Sequence, residues 1–284
     1  MPFGNVFEKI NNEYYQLTCS EKKVADYAAL HQRKTQFMSI SELAEEAGVA
    51  EATVSRFCRR LGYKGYSAFK LAVANSTAGR ENSNPLSGEV LPGDSVEAMC
   101  QKLCAAGQGA LRQTLELIRP EAVRAAADLL SAAGKVLCMG QGASMLLAHE
   151  AANLFSTALP KFFAVGDTHI QAMSIALMEP GDAVLYFSYS GSTQELVENL
   201  KLVREKGGGS VLVTHFPKSP GAVYADVVLQ CGSTEGPIQG GSIAARIAQL
   251  YLVDVLFSEV CRRDLDGCRR RREAVAEVLS GKHI

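Results

Sequence analysis

The chain has 284 residues, a formal net charge of −1 and a 47% hydrophobic content. These values describe an ordinary globular protein long enough for two domains, and no apolar run is long enough to span a bilayer. Met1-Pro2-Phe3-Gly4-Asn5 lacks the basic patch and apolar core of a secretory signal, so the expected compartment is the cytoplasm. The eight cysteines are scattered and form no Cys-x-x-Cys pair. Cys100 and Cys104 share a helix face, but no nearby His or second pair completes a metal site, so free thiols are expected and no metal or cofactor is.

In chain order, Val6, Ile10, Tyr14 and Leu17 give an amphipathic helix over residues 3–17. Ser20 is placed as the N-cap of a second, with Val24, Tyr27, Ala28 and Leu30 on its buried stripe. Two short helices follow, one stopping at Gly48 and one at Gly62. Ile40, Leu43, Ala44 and Ala47 share a face of the first; Val54, Phe57, Cys58 and Leu61 share a face of the second. Two short helices joined by a tight Gly-containing turn form the helix-turn-helix pattern. The second helix is expected to expose Thr53, Ser55, Arg56, Arg59 and Arg60. Hydroxyls and arginines there suit phosphate oxygens and base edges. Lys64, Tyr66 and Lys70 belong to a following turn expected to touch the DNA backbone. A solvated helical hairpin would carry the same cations, but their concentration on the second helix favours DNA.

Ser41-Glu42-Leu43-Ala44, Ala52-Thr53-Val54-Ser55-Arg56-Phe57 and the run Leu61-Gly62-Tyr63-Lys64-Gly65-Tyr66-Ser67-Ala68-Phe69-Lys70 resemble the N-terminal domain of the RpiR family of bacterial transcriptional regulators. The resemblance implies a second, C-terminal SIS domain that binds phosphosugars, and assembly as a homodimer or homotetramer on operator DNA.

The segment from Ser76 to Gly93 is rich in Ser, Asn, Gly and Pro and reads as a linker. A helix is expected from Ser95 to Ile118, with a soft spot at Gly107 and Gly109 costing roughly 1 kcal/mol per Gly against Ala. Pro120 starts another, ending at Gly134. Then strands alternate with helices. Val136–Met139, Phe162–Val165, Ala183–Phe187, Ser210–Thr214 and Asp226–Leu229 are buried-type strands. Continuous apolar strands separated by helices imply a parallel sheet covered on both faces. The expected domains are 1–77 for the helix-turn-helix, 78–94 for the linker, 95–134 for connecting helices, 135–262 for the α/β SIS domain with five parallel strands, and 263–284 for a basic tail.

Ligands on such sheets sit beyond the carboxyl ends of the strands. Two loops lie there. Gly140-Gln141-Gly142-Ala143-Ser144 is not a dinucleotide fingerprint, because Met145 stands where its third glycine belongs and no acidic residue follows at the required distance. Ser188-Tyr189-Ser190-Gly191-Ser192-Thr193 leads from a strand into a helix, and no Lys or Arg occurs from Val184 to Leu200. It suits either an anion cradle of dipoles and hydroxyls or a plain N-capped turn. The resemblance implies the former, with Gly142, Ser144, Ser188, Ser190, Gly191, Ser192, Thr193 and Glu235 around a phosphorylated sugar or sugar acid. An aldose–ketose isomerase using Glu235, with His169 or His149, is the alternative. The attached DNA-binding domain argues for a module that binds and does not convert. This chain departs from the family at Gln239-Gly240-Gly241-Ser242, where many regulators carry an Arg-Ser-Gly stretch. Gly241 to Val260 reads as a long apolar helix, and Arg269–Arg272 as part of a solvated terminal one.

Overall fold

A computed structural model describes residues 6–78, 90–232 and 242–281. Two compact units are present, Met1–Ala106 with Thr234–Ser242, and Gly107–Ser233 with Ile243–Ile284.

The first unit is helical. It contains α1 (Val6–Glu13), a 3-10 turn (Tyr14–Gln16), α2 (Cys19–Leu30), α3 (Gln32–Thr35), α4 (Ile40–Glu46), α5 (Glu51–Arg60) and α6 (Tyr66–Ala78). α1 is shorter than its apolar spacing suggests, because the chain tightens into the 3-10 turn at Tyr14. The cap of α2 is Thr18 and not Ser20. The Thr18 hydroxyl accepts from the Glu21 amide, and the Glu21 carboxylate accepts from the Thr18 amide, so two otherwise unpaired donors are satisfied reciprocally. Ser39 and Glu42 repeat this device at the start of α4.

α4 and α5 both end in Schellman motifs. The Gly48 amide bonds the Glu45 carbonyl and the Val49 amide reaches back to Ala44; Gly62 and Tyr63 do the same to Arg59 and Cys58. Gly48 (φ +63) and Gly62 (φ +81) hold the left-handed position these motifs require. The helices close over Leu43, Val54, Phe57, Cys58 and Phe69, with the Phe57 and Phe69 rings edge to face at 5.5 Å.

α7 (Val96–Leu117) runs unbroken through Gly107 and Gly109. Gly107 is buried, and a Cβ added there would only touch Ile247, so this half of the expected soft spot is a packed position, whereas Gly109 is exposed. α8 (Pro120–Ala132) starts on its proline. Then come β1 (Val136–Gly140), α9 (Ala143–Ser156), β2 (Phe162–Ala164), α10 (Thr168–Ala176), β3 (Ala183–Phe187), α11 (Gln194–Glu205), β4 (Gly209–Thr214), β5 (Val227–Gln230), α12 (Ile243–Cys261) and α13 (Leu265–Ser280).

All five strands are parallel, in the order β2-β1-β3-β4-β5. Side chains alternate between two cores. Val136, Cys138, Leu185 and Val213 face α8, α9 and α12, while Leu137, Met139, Val184, Tyr186 and Leu212 face α10 and α11. This is the three-layer α/β arrangement expected. The order reverses between β1 and β3, so the connections leave in opposite directions and open a crevice beyond their carboxyl ends. Gly140 pairs in register with Phe187, which brings the two rim loops side by side.

Several boundaries differ from the sequence reading: β1 runs on to Gly140, β2 stops at Ala164, β4 starts at Gly209 and β5 starts at Val227. α9 begins at Ala143, which places Ser144 in its first turn. β5 starts after Asp226, whose carboxylate accepts from the Ser210 amide and hydroxyl. α13 begins at Leu265 under an Asp264 cap. Three of its four arginines are engaged locally: Arg269 pairs with Glu273, Arg271 with Asp264, and Arg272 lies over the Phe257 ring. The eight cysteines are free thiols, and among the described residues no cluster could hold a metal and no helix is long and apolar enough to cross a membrane.

Glu21 is nearly buried. Burial opposes its charge, but the Thr18 amide and hydroxyl and the Arg60 guanidinium together hold its carboxyl below the usual value of 4.5. A depressed carboxylate stabilises the fold above its unfolded pKa and loses that contribution as pH falls through the folded value. Glu21→Gln keeps a capping side chain but loses the charge. Denaturation at pH 7 is expected to find it less stable by up to about 1 kcal/mol, with the difference shrinking toward zero as the pH is lowered past the folded pKa.

Candidate functional site

Two regions carry the predicted site residues. The first is α5. Ala52, Ser55, Arg56 and Arg59 fall at helical spacing along one outward face, with Ser55 half-buried and the other three exposed. The Arg59 side chain has no hydrogen-bond or ion-pair partner among the described residues. Thr53 is a correction. It is 6% exposed and shares the inward phase with Phe57, and its hydroxyl lies 3.2 Å from the Arg56 guanidinium, from which it accepts. It orients Arg56 from behind. Arg60, expected to be exposed for DNA, turns back to the Gln16 carbonyl and pairs with Glu21 at 3.3 Å, so it braces the unit. Lys64 is exposed. Tyr66 donates its hydroxyl to the Met38 carbonyl at 2.9 Å, and burial pushes its phenol far up. Lys70 is half-buried. The outward set is therefore Ser55, Arg56, Arg59 and Lys64.

The second region is the rim at the carboxyl ends of β1 and β3. Gly142 (φ +56, ψ −127) adopts the first central conformation of a type II′ turn, closed by the Ser144 amide bonding the Gln141 carbonyl. Gly140 admits no side chain, because a Cβ would lie 2.7 Å from the Ser144 carbonyl oxygen. Ser144 is half-buried.

Across the crevice, Ser188 is buried and its hydroxyl accepts from the Gly191 amide at 3.2 Å. Ser190 and Ser192 are exposed; the Ser192 hydroxyl donates to the Ser190 carbonyl, and the Ser190 hydroxyl accepts from the Ser192 amide. Thr193 is the N-cap of α11 by position, but its hydroxyl makes no capping bond and is buried without a partner among the described residues. The first α11 amides therefore keep their donors for another acceptor. The loop is fixed from below. The Gly191 carbonyl accepts from the Gly221 amide, the Tyr189 carbonyl accepts from Thr214 and His215, and the Tyr189 ring stacks on His215 at 5.1 Å and 6°. A Cβ on Gly191 (φ +59) would fall 1.9 Å from the Ser219 hydroxyl.

Between the two loops lies a polar cluster that sequence reasoning did not single out. Gln171, fully buried, donates to the Gly140 and Val165 carbonyls at 3.1 and 2.8 Å. Its amide oxygen accepts from Gln141 (2.9 Å), Asn199 (3.2 Å) and the Tyr186 hydroxyl (3.3 Å). Gln141 and Asn199 also donate to the Tyr186 oxygen. The available signal was phase: Asn199 shares the inward face of α11 with Leu196, Leu200 and Val203, and an amide at an apolar phase needs partners. His149 and His169 are exposed, and Asp167 caps α10 through the His169 and Ile170 amides. Glu235 and Gln239-Gly240-Gly241 lie outside the described residues.

A helix-turn-helix unit joined to a parallel α/β unit with a polar rim at its switch point defines a DNA-binding regulator with a ligand module. Comparison with known proteins agrees. Residues 4–80 match the rpiR-family helix-turn-helix domain and residues 129–259 match the SIS domain. The chain is 32% identical to an uncharacterized HTH-type transcriptional regulator of Haemophilus influenzae, covering 99% of this chain and 98% of that one. It is also 32% identical to the HTH-type transcriptional regulator HexR of Escherichia coli, over 99% of this chain and 97% of that one. The solved structure of Vibrio vulnificus NanR, complexed with ManNAc-6P, superposes with a TM-score of 0.87 at 27% identity, covering 98% of this chain and 99% of that one. The chain belongs to the rpiR family of helix-turn-helix transcriptional regulators carrying a SIS domain.

Arg56→Ala and Arg59→Ala are expected to weaken DNA binding in a mobility shift at fixed salt, by about 1–3 kcal/mol for a base contact or with a salt slope lower by about 1 for a phosphate contact. Arg60→Ala is expected to lower the melting temperature and to change DNA affinity less. Gly191→Ala combines a left-handed φ with the Ser219 clash, and denaturant titration is expected to show a loss of at least about 1–3 kcal/mol.

Proposed function

We propose that this protein is a cytoplasmic transcriptional regulator, acting as a homodimer or homotetramer, whose rim at β1 and β3 senses a phosphorylated sugar or sugar acid. The observation that carries the effector reading is the start of α11. A capped turn would use the Thr193 hydroxyl on the helix amides; here it does not, and the amides stand beside the Ser190 and Ser192 hydroxyls at the switch point. Unpaired amides, a helix dipole and rotatable hydroxyls suit a phosphate without a fixed cation. The phosphorylated sugar held by the Vibrio vulnificus relative supports the same ligand class.

On the DNA side, α5 offers Arg56, Arg59, Ser55 and Lys64 to the major groove and the flanking phosphates. Two copies would read half-sites about one helical turn apart, or a multiple of it. Regulation then follows from linkage. The effector shifts the equilibrium only so far as it binds the DNA-competent and incompetent arrangements with different affinity. In this reading the SIS unit binds its ligand and does not convert it.

Thermal shift on the full chain with a panel of sugar phosphates tests the effector site, because a ligand of the native state raises stability by mass action. One or more phosphorylated sugars is expected to raise the melting temperature, and the Ser190→Ala, Ser192→Ala double variant to lose that rise while keeping DNA affinity. A full response in the double variant removes the assignment.

A further inference from the structure

We propose that Gln171 is the positioning residue of the effector site, holding its two loops at a fixed separation so that phosphate and sugar are gripped together. The proposal rests on the effector reading of the rim and extends it to a residue that touches no ligand.

The argument is one of hydrogen-bond polarity. The Gly140 and Val165 carbonyls can only accept, so the group facing them must be the Gln171 amide nitrogen. That fixes the Gln171 oxygen toward Gln141, Asn199 and Tyr186. A lone acceptor there obliges Gln141 and Asn199 to present their nitrogens, and both amides also donate to the Tyr186 oxygen. Every amide hydrogen of Gln141, Gln171 and Asn199 is then used. No side chain of the cluster can flip without setting two acceptors face to face in a buried site.

The members come from elements on both sides of the crevice. Gly140 ends β1 and Gln141 begins the loop that follows it. Tyr186 is the penultimate residue of the strand that feeds the hydroxyl-rich loop, and Asn199 lies on the helix whose amino end forms the cradle. Val165 follows β2. One fully buried side chain thus ties the loop after β1 to the helix whose amino end forms the proposed cradle. The cluster is neutral, so it fixes distance and leaves the charge of the site unchanged. Gln171 is expected to govern how much better a sugar phosphate binds than phosphate alone.

Calorimetric titration of the full chain with inorganic phosphate and with the best sugar phosphate of the panel measures that preference. Gln171→Met keeps the volume and removes all five bonds. It is expected to hold phosphate affinity within about 2-fold and to cut the preference at least about 10-fold. If it does not fold, Tyr186→Phe, which removes a single oxygen, carries the same expectation at about 3-fold or more. Gln171→Glu adds a readout that simple destabilisation does not move. Burial raises its pKa, and only the protonated acid donates to a carbonyl. Its preference, relative to wild type at each pH, is expected to recover as pH falls from 8 to 6. A folded Gln171→Met protein with wild-type preference overturns the role of Gln171 and leaves the effector site standing. A wild-type protein with no preference for any sugar phosphate overturns both.

Discussion

The pairing of Gly140 with Phe187 is the constraint on which the second unit's site depends. β1 and β3 are neighbours in the sheet, but their connections depart to opposite faces. Chain that would otherwise close over the strand ends is drawn apart there. The loops that fill the gap must be small and polar. They are small because neighbouring atoms approach the backbone closely, as the Ser144 carbonyl does at Gly140 and the Ser219 side chain does at Gly191. They are polar because several of their own amides and hydroxyls have no strand or helix to bond. An open, polar rim follows from strand order before any particular residue on it is considered.

The first unit depends on a different device. Two consecutive helices, α4 and α5, each end in a glycine-centred Schellman motif, so their lengths and the angle of the chain between them are set by backbone bonds. Packing of Leu43, Val54 and Phe57 then fixes which face of α5 looks outward. Arg60 and Glu21 fasten α5 to α2. Of the three arginines on α5, Arg60 is thus tied back to Glu21 and Gln16, while Arg56 and Arg59 lie on the outward face.

Much of this was legible in the sequence. The five strands stand out because parallel strands buried on both faces read as unbroken apolar runs, and Pro120, Gly48 and Gly62 mark their helix ends by known backbone geometry. The α2 cap was misplaced at Ser20, although Thr18 and Glu21 carry the capping-box spacing. Thr53 was read by its chemistry when its phase, four residues before Phe57, sets it inward. The hydroxyl-rich loop was legible as composition, but whether Thr193 caps α11 is a matter of one rotamer, which no spacing reveals. The amide cluster was the least legible part. Gln141, Gln171, Tyr186 and Asn199 are spread over 59 sequence positions, and only the folded sheet brings them together.

The lack of any lysine or arginine between Val184 and Leu200 has a consequence for how the molecule meets its surroundings. Guanidinium contacts to nucleic acid strengthen by releasing counterions, so they fade steeply as salt rises. Helix amides and hydroxyls hold no such ion atmosphere, and short-range dipoles inside a crevice are screened far less. The two ends of this chain are therefore tuned to different variables. On the proposed function, one responds steeply to the ionic strength of the cell, and the other responds to the abundance of a metabolite.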